Sequence, residues 1–201
     1  MKEYQFKTSG QTRTERDLLG EKEVPTEALF GIQTLRCIEN FDISRQLLSH
    51  YPPFVKALGL VKMGAVKANN ELKLINDEIT NAIVEACQEL MDGKHTEHFP
   101  IDLVQGGAGT SVNMNANEVI ANRALEILGK KRGEYKYCHP NDHVNMAQST
   151  NDAYPTAMHL GLYMLHDELK ASLEKLIESF EKKSIEFKEM VKMGRTQLQD
   201  A

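Results

Sequence analysis

From Pro155 onward the apolar residues Met158, Leu162, Leu165, Leu169, Leu173, Leu176, Phe180 and Phe187 recur at steps of three or four residues or multiples of them. No glycine other than Gly161 interrupts this run before Gly194. The spacing marks one face of an α-helix. A helix of roughly 34 residues is about 50 Å long at about 1.5 Å per residue, whereas a compact chain of this size has a radius of gyration of only about 16 to 17 Å. Other helices are needed to cover such a stripe, as in a coiled coil or a long bundle. The sequence reaches GRTQLQDA just past this helix with no returning helix to pack on it. The expectation is therefore the N-terminal part of a larger, oligomeric helical protein.

Composition narrows the class further. The 201 residues are 41% apolar and 26% charged, enough for a core in one or two ordinary domains and too apolar for a disordered chain. A net charge of -5 argues against broad affinity for nucleic acid or membrane surfaces, and Lys130, Lys131 and Arg132 read as a solvated loop. The polar N-terminus lacks the apolar core of a secretion signal, and the apolar run ALGLVKMGAV is short and interrupted by Lys62. A cytoplasmic location is expected. Cys37, Cys87 and Cys138 are odd in number and lie in no CxxC pattern, which fits reduced thiols.

Ahead of the long helix, residues 1–12 read as a flexible tail, RTERDLLGEKEVP as a hairpin turning near Gly20, and FGIQTLRCIENF as a segment entered through a helical turn at Pro25-Thr26. Two amphipathic helices follow: Phe54, Val55, Leu58, Val61 and Ala65 form one face, and Ile79, Ile83, Ala86 and Leu90 form another, closed by Gly93. An extended link, HTEHFPIDL, leads to a Gly-rich turn and a helix from about Asn115 to Leu128. Residues 13–142 thus form a helical domain with a small hairpin, and residues 143–201 begin a helix-bundle domain.

Three polar clusters carry the chemistry: Gly109-Thr110-Ser111, Gln148-Ser149-Thr150-Asn151-Asp152 and Gly194-Arg195-Thr196-Gln197. The stretch QGGAGTSVNMNANE around the first lacks the lysine of a P-loop, and Val112 stands where a dinucleotide turn needs its third glycine. What remains is a turn that places hydroxyls and backbone N–H groups at a helix start, suited to a small anion or to simple capping. Fixed neutral donors of this kind stabilise a carboxylate whose neighbouring carbon is losing a proton, each worth about 3 to 4 kcal/mol. The second and third clusters lie at opposite ends of the long helix, so their meeting requires neighbouring subunits. His139 and His143, like His95 and His98, have spacings that could bracket a metal, yet neither pair has a recognisable third ligand. Asn141 and Asp142 read as the end of a loop capping a following helix. His159 and His166 fall on one face of the long helix, and Met158, Met164, Met190 and Met193 read as core filling.

At these clusters the chain resembles the aspartase/fumarase superfamily. The likeness runs through ERDLLGEKEVP, FGIQTLRCIENF, VQGGAGTSVNMNANEVIANRALEILG, HPNDHVNMAQSTNDAYPTAMH and KMGRTQLQDA, nearly the whole chain. It implies a mainly α fold, in which a helical N-terminal domain with a small β-hairpin is followed by the first long helix of a central bundle. That bundle assembles into the core of a homotetramer with shared active sites. The implied reaction is reversible anti elimination from a succinyl skeleton to give fumarate, with no cofactor and no metal. Thr110, Ser149 and Thr150 would hold the carboxylate beside the proton being removed, Asn151 the amino group, and Thr196 the other carboxylate, with Gln197 alongside. Asn141 and Asp142 match a secondary anion site of fumarases.

Within the superfamily, Ala108 in GGAGTS, Thr150 in STND and Gln197 in GRTQ favour the branch that releases ammonia from L-aspartate; the alternative is a class II fumarate hydratase. Gln197 stands where the superfamily commonly has a histidine, and it has no acid–base function. The mobile loop that supplies the family's serine base, with a lysine and an asparagine for the substrate, has no counterpart in these residues. The 201 residues alone are therefore expected to be inactive, and a non-catalytic helical oligomerisation module is the alternative of another class.

Overall fold

The computed structural model describes residues 6–191, 194–196 and 198–200, with only the backbone at 195, 196, 199 and 200. Met193 and Gln197, both singled out in the sequence, lie outside the described residues, as do residues 1–5. The chain divides into two units, Met1–Leu162 and Tyr163–Ala201.

The first unit opens with the hairpin β1 (Thr12–Asp17) and β2 (Gly20–Pro25), paired from Thr12↔Pro25 to Asp17↔Gly20 around a turn at Leu18-Leu19. In the segment before it, the Phe6 ring lies 4.6 Å from the His98 ring, and the Ser9 N–H donates to Glu27 at 2.9 Å. Arg13, ion-paired with the buried Glu15 at 2.8 Å, donates to the carbonyls of Ala28 and Phe30 at 2.8 and 2.7 Å. The hairpin thereby fixes the approach to α1 (Ile32–Asn40).

No side chain of α1's own N-cap satisfies its first turn. Glu118 of α4 (Thr110–Ile127) does so instead, accepting from Gly31 N, Gln33 N, Thr34 N and the Thr34 hydroxyl at 2.9, 2.8, 3.0 and 2.6 Å. The orphan donors of a helix start need such a partner when buried. Burial, and the Glu15 charge behind it, push the Glu118 carboxyl up to about 7, against the pull of these donors.

The helices α2 (Pro52–Glu71) and α3 (Asp77–Met91) pack through Val55, Leu58, Ile83, Ala86 and Leu90, all buried, as the apolar periodicity requires. Pro52 and Pro53 start α2, and Asn76 caps α3 by accepting from Ile79 N at 2.9 Å. The link after Gly93 contains a helical turn at Thr96–His98 rather than extended chain throughout.

Two starts differ from the sequence expectation. Helix α4 begins at Thr110, not near Asn115, so Asn113 is helical too, and Asn113, Asn115 and Asn117 are all buried. The helix is covered on all sides: Val112, Ala116, Val119, Ile120, Ala121, Ala124 and Leu125 are buried, each large apolar side chain contributing about 1.5 to 3 kcal/mol. Its amides meet loop carbonyls, Asn115 donating to His98 O at 3.1 Å and Asn122 to Leu29 O at 2.7 Å.

Helix α5 (Thr150–Glu186, 37 residues) starts five residues before Pro155, which lies inside it. Ser149 makes this start possible, because its hydroxyl accepts from Asn151 N at 3.2 Å. Pro155 then removes only the backbone bond to Asn151. Ala153, Ala157 and Gly161 are buried, and a side chain at Gly161 would press on the Phe54 backbone of α2.

In the second unit every described residue of α5, from Tyr163 on, is exposed, including Leu165, Leu169, Leu173, Leu176 and Phe180. After it, β3 (Arg195–Thr196) and β4 (Gln199–Asp200) form a short antiparallel pair. None of the described helices is long and apolar enough to cross a membrane.

Candidate carboxylate-binding site

The first turns of α4 and α5 meet. Asn113, one turn past Thr110, donates from its amide to the Thr150 hydroxyl oxygen at 3.1 Å. Gly109, at φ +86°, is the residue before α4, and the Tyr154 ring of α5 lies directly against it. Thr110, which starts one helix, and Ser149 and Thr150, just before and at the start of the other, belong to two of the three clusters marked in the sequence.

The Ser149 and Thr150 hydroxyls are set up as donors. The Thr150 oxygen accepts from Asn113, and the Ser149 oxygen accepts from Asn151 N. Their protons are thus turned away from the groups that already donate to them. Thr110 has no side-chain partner among the described residues and is exposed, as are Ser149 and Asn151. Two helix N-termini add partial positive charge to the same place. Of the backbone N–H groups in these first turns, that of Val112 is taken by Gln105 Oε1 at 3.2 Å.

Behind the hydroxyls lies a group that no sequence motif marks. Lys62 of α2 is fully buried, and its ammonium donates to Asn113 Oδ1, Asn145 Oδ1 and Gln148 Oε1 at 2.7, 2.9 and 2.9 Å. Burial pushes it down to about 7. In the sequence it interrupts an apolar run; its place in the middle of the buried face of an amphipathic helix is the one signal that could have found it. Gln148 is held in turn by donation to Val144 O at 2.8 Å, and Asn145 donates to Gln148 O at 3.1 Å.

The remaining sequence candidates fall elsewhere. Thr196 is described as backbone in β3, with its side chain outside the description. Asn141 and Asp142 do not cap a following helix; they lie within the wide turn Pro140–Val144, whose cap is His139, accepting from both their N–H groups at 3.1 and 3.2 Å. Asn141 lines a groove of about 700 Å³ with Arg16, Gln33 and Tyr135. Asp142 is exposed and brings a negative charge of its own.

His95 and His98 do gain a third possible ligand, Glu97. However, the Leu29 N–H donates to His98 Nδ1 at 3.3 Å, so the neutral ring carries its proton on Nε2, the nitrogen that faces Glu97 at 3.7 Å. Burial holds that ring neutral, its imidazole pushed down to about 3. The three cysteines are buried, and burial pushes the Cys87 and Cys138 thiols up to about 12, which suits packing rather than chemistry.

Fold and candidate site together describe a mainly helical protein in which the hydroxyl-bearing starts of two helices meet. Residues 20–201 match the family model described as "Lyase", and the chain belongs to that lyase family, within the aspartase/fumarase superfamily. It is 58% identical over 190 residues to aspartate ammonia-lyase of Pseudomonas aeruginosa, which covers 94% of this chain and 40% of that relative. With aspartate ammonia-lyase of Escherichia coli it shares 52% over 194 residues, covering 96% of this chain and 41% of the relative. The chain thus spans about two fifths of the length of these curated relatives. Among solved structures, one described as fumarate lyase:delta crystallin from Brucella melitensis, bound to cobalt, superposes with a TM-score of 0.86 at 54% identity, covering 94% of this chain and 41% of that one. A class II fumarase from Schistosoma mansoni superposes with a TM-score of 0.80 at 39% identity, covering 94% and 40%.

Proposed function

We propose that the protein to which these residues belong is an aspartate ammonia-lyase, converting L-aspartate reversibly to fumarate and ammonia. The observation that carries this reading is the pair of hydroxyls, Ser149 and Thr150, whose oxygens already accept N–H groups while their protons remain for a ligand beside Thr110. Loss of the proton next to a carboxylate sends two electrons into that carboxylate, which then carries two negative charges. Donors fixed in advance bind this state more tightly than the substrate, and each supplies about 3 to 4 kcal/mol of the lowering of the barrier. Ammonia then leaves from the adjacent carbon, with Asn151 holding the amino group, while Thr196 and Gln197 receive the second carboxylate. The proton acceptor is a serine outside these residues.

The relatives named aspartate ammonia-lyase support the choice of leaving group, at 51 to 59% identity against 39% for the fumarase, as do Ala108, Thr150 and Gln197. The exposed stripe on α5 supports assembly with other copies, as a homotetramer whose sites are shared between subunits. The proposal also takes residues 13–142 as the N-terminal domain, residues 143–201 as the beginning of the bundle domain, Asn141 and Asp142 as a secondary anion site, and the cytoplasm as the location.

The test is fumarate formation from L-aspartate by the intact protein, followed by ultraviolet absorbance, beside fumarate formation from L-malate. Aspartate should be the faster substrate, and Thr110→Val or Ser149→Ala should each lower turnover about 100- to 1000-fold. Faster turnover of malate would reverse the assignment, and near-normal turnover in both variants would remove the carboxylate cradle.

A further inference from the structure

Lys62 is a costly residue to place where it sits. Its side chain is fully buried, and its three hydrogen-bond partners are carboxamide oxygens of Asn113, Asn145 and Gln148. No carboxylate is among them. A methionine would fill the same space without bringing a charge out of water. The three amides share one property: each belongs to, or holds, a segment that carries a proposed substrate donor. Asn113 stands one turn past Thr110 and donates to Thr150; Gln148 immediately precedes Ser149; Asn145 donates to the Gln148 carbonyl at 3.1 Å.

The chain of donors is continuous. The Lys62 ammonium donates to Asn113 Oδ1 at 2.7 Å, and Asn113 Nδ2 donates to Thr150 Oγ1 at 3.1 Å. The three amide oxygens take up all three N–H groups of the ammonium, which favours the charged form against the burial that lowers it. A cation on the carbonyl end of an amide draws electron density away from its NH₂ end and strengthens that end as a donor. It also decides which way the amide faces, because an ammonium has no lone pair to accept an N–H. Asn113 is thereby kept with its NH₂ toward Thr150, the Thr150 oxygen accepts, and the Thr150 proton is left for the ligand.

We propose that Lys62 is a positioning residue for the elimination: acting through Asn113, it fixes the Thr150 hydroxyl as a donor to the substrate carboxylate, without touching the substrate. This inference rests on the reading of the site as a lyase site. It assigns to α2, which contributes no residue to the cradle, a share in the stabilisation of the doubly charged carboxylate.

The experiment is a double-mutant cycle in the intact protein, with turnover of L-aspartate as the readout and thermal unfolding as the check on folding. Thr150→Val is expected to lower kcat about 100- to 1000-fold and Lys62→Met about 10- to 100-fold, each with a smaller change in KM. The double variant should be no more than about threefold slower than Thr150→Val alone, because a residue acting through Thr150 has nothing left to act on. Losses that multiply in the double variant, or a Lys62→Met enzyme with normal kcat, would overturn the inference. General loosening of the fold would multiply with the loss of the hydroxyl and could not produce saturation. If Lys62→Met does not fold, Asn113→Asp cuts the same chain while leaving an anion beside the lysine, and must saturate against Thr150→Val in the same way. Absence of wild-type turnover of L-aspartate would overturn the lyase reading and this inference together, whereas wild-type turnover with multiplying losses would overturn the inference alone.

Discussion

Replacing Gly109 by alanine tests the junction on which the site depends. Gly109 has φ +86°, and a Cβ there would fall inside the van der Waals surface of the Tyr154 ring. That ring cannot simply retreat, because it packs on Phe54 of α2 with centroids 5.7 Å apart. Two costs add: the left-handed backbone for a residue with a Cβ, about 1 to 2 kcal/mol, and the overpacking, about 1 to 3 kcal/mol. The sum is about 2 to 5 kcal/mol. Gly107 supplies the control, since its φ is +75° and a Cβ added there would meet nothing within 4 Å. Gly107→Ala should therefore lose only about 1 to 2 kcal/mol. Urea unfolding of the intact protein measures both. Because Tyr154 stands one turn past Thr150, pushing it aside also misplaces the hydroxyls, and a shift of about 1 Å in such groups costs about 100-fold in rate. Equal losses of stability in the two variants would show that the starts of α4 and α5 are not in contact through Gly109, and the site as described would not exist.

Two further outcomes follow from burial and exposure. The Glu118 carboxyl, raised by burial to about 7 from the ordinary 4.5, binds its proton more tightly in the folded state. Its contribution to stability is present below 4.5 and is lost as pH rises through about 7. The melting temperature of the wild type relative to Glu118→Gln should fall over that window; a difference that grows with pH would mean that the four donors outweigh burial. On α5, the exposed Leu169 and Leu173 changed together to glutamate should shift the intact protein to smaller species in sedimentation, and an unchanged assembly would show that this stripe is not an interface.

Periodicity made the helices legible. The stripes of α2, α3 and α5 and the hairpin pattern of RTERDLLGEKEVP are local signals, and the structure follows them. The helix starts were less legible because they depend on partners distant in sequence. Asn113 looks like a loop residue until the first turns of α4 are packed against Lys62 and Thr150. Pro155 looks like a helix start until the Ser149 hydroxyl provides one a turn earlier. Glu118 and Lys62 were illegible for the same reason. Each is a charged residue whose role is set by groups more than 50 positions away, and in the sequence Lys62 reads as a break in an apolar run. The hydroxyls of Thr110, Ser149 and Thr150 were marked in advance by their clusters, whereas the relay that orients Thr150 was not.

The central claim is that these hydroxyls stabilise a doubly charged carboxylate better than they bind the substrate. The direct measurement is the affinity of the intact protein for the nitro analogue of L-aspartate, in which a nitro group replaces the carboxylate beside the proton removed. Its ionised form, a nitronate, has the planarity of the proposed intermediate and spreads its negative charge over two oxygens at the same position, and analogues of this kind bind about 100-fold or more tighter than substrates. Titration calorimetry should show that tightening for the wild type, and its loss in Thr110→Val, Ser149→Ala and Thr150→Val, with L-aspartate itself weakened much less. A nitronate bound no more tightly than L-aspartate, or weakened by these substitutions only as much as L-aspartate is, would show that the cradle holds a ground-state anion and contributes nothing specific to the elimination.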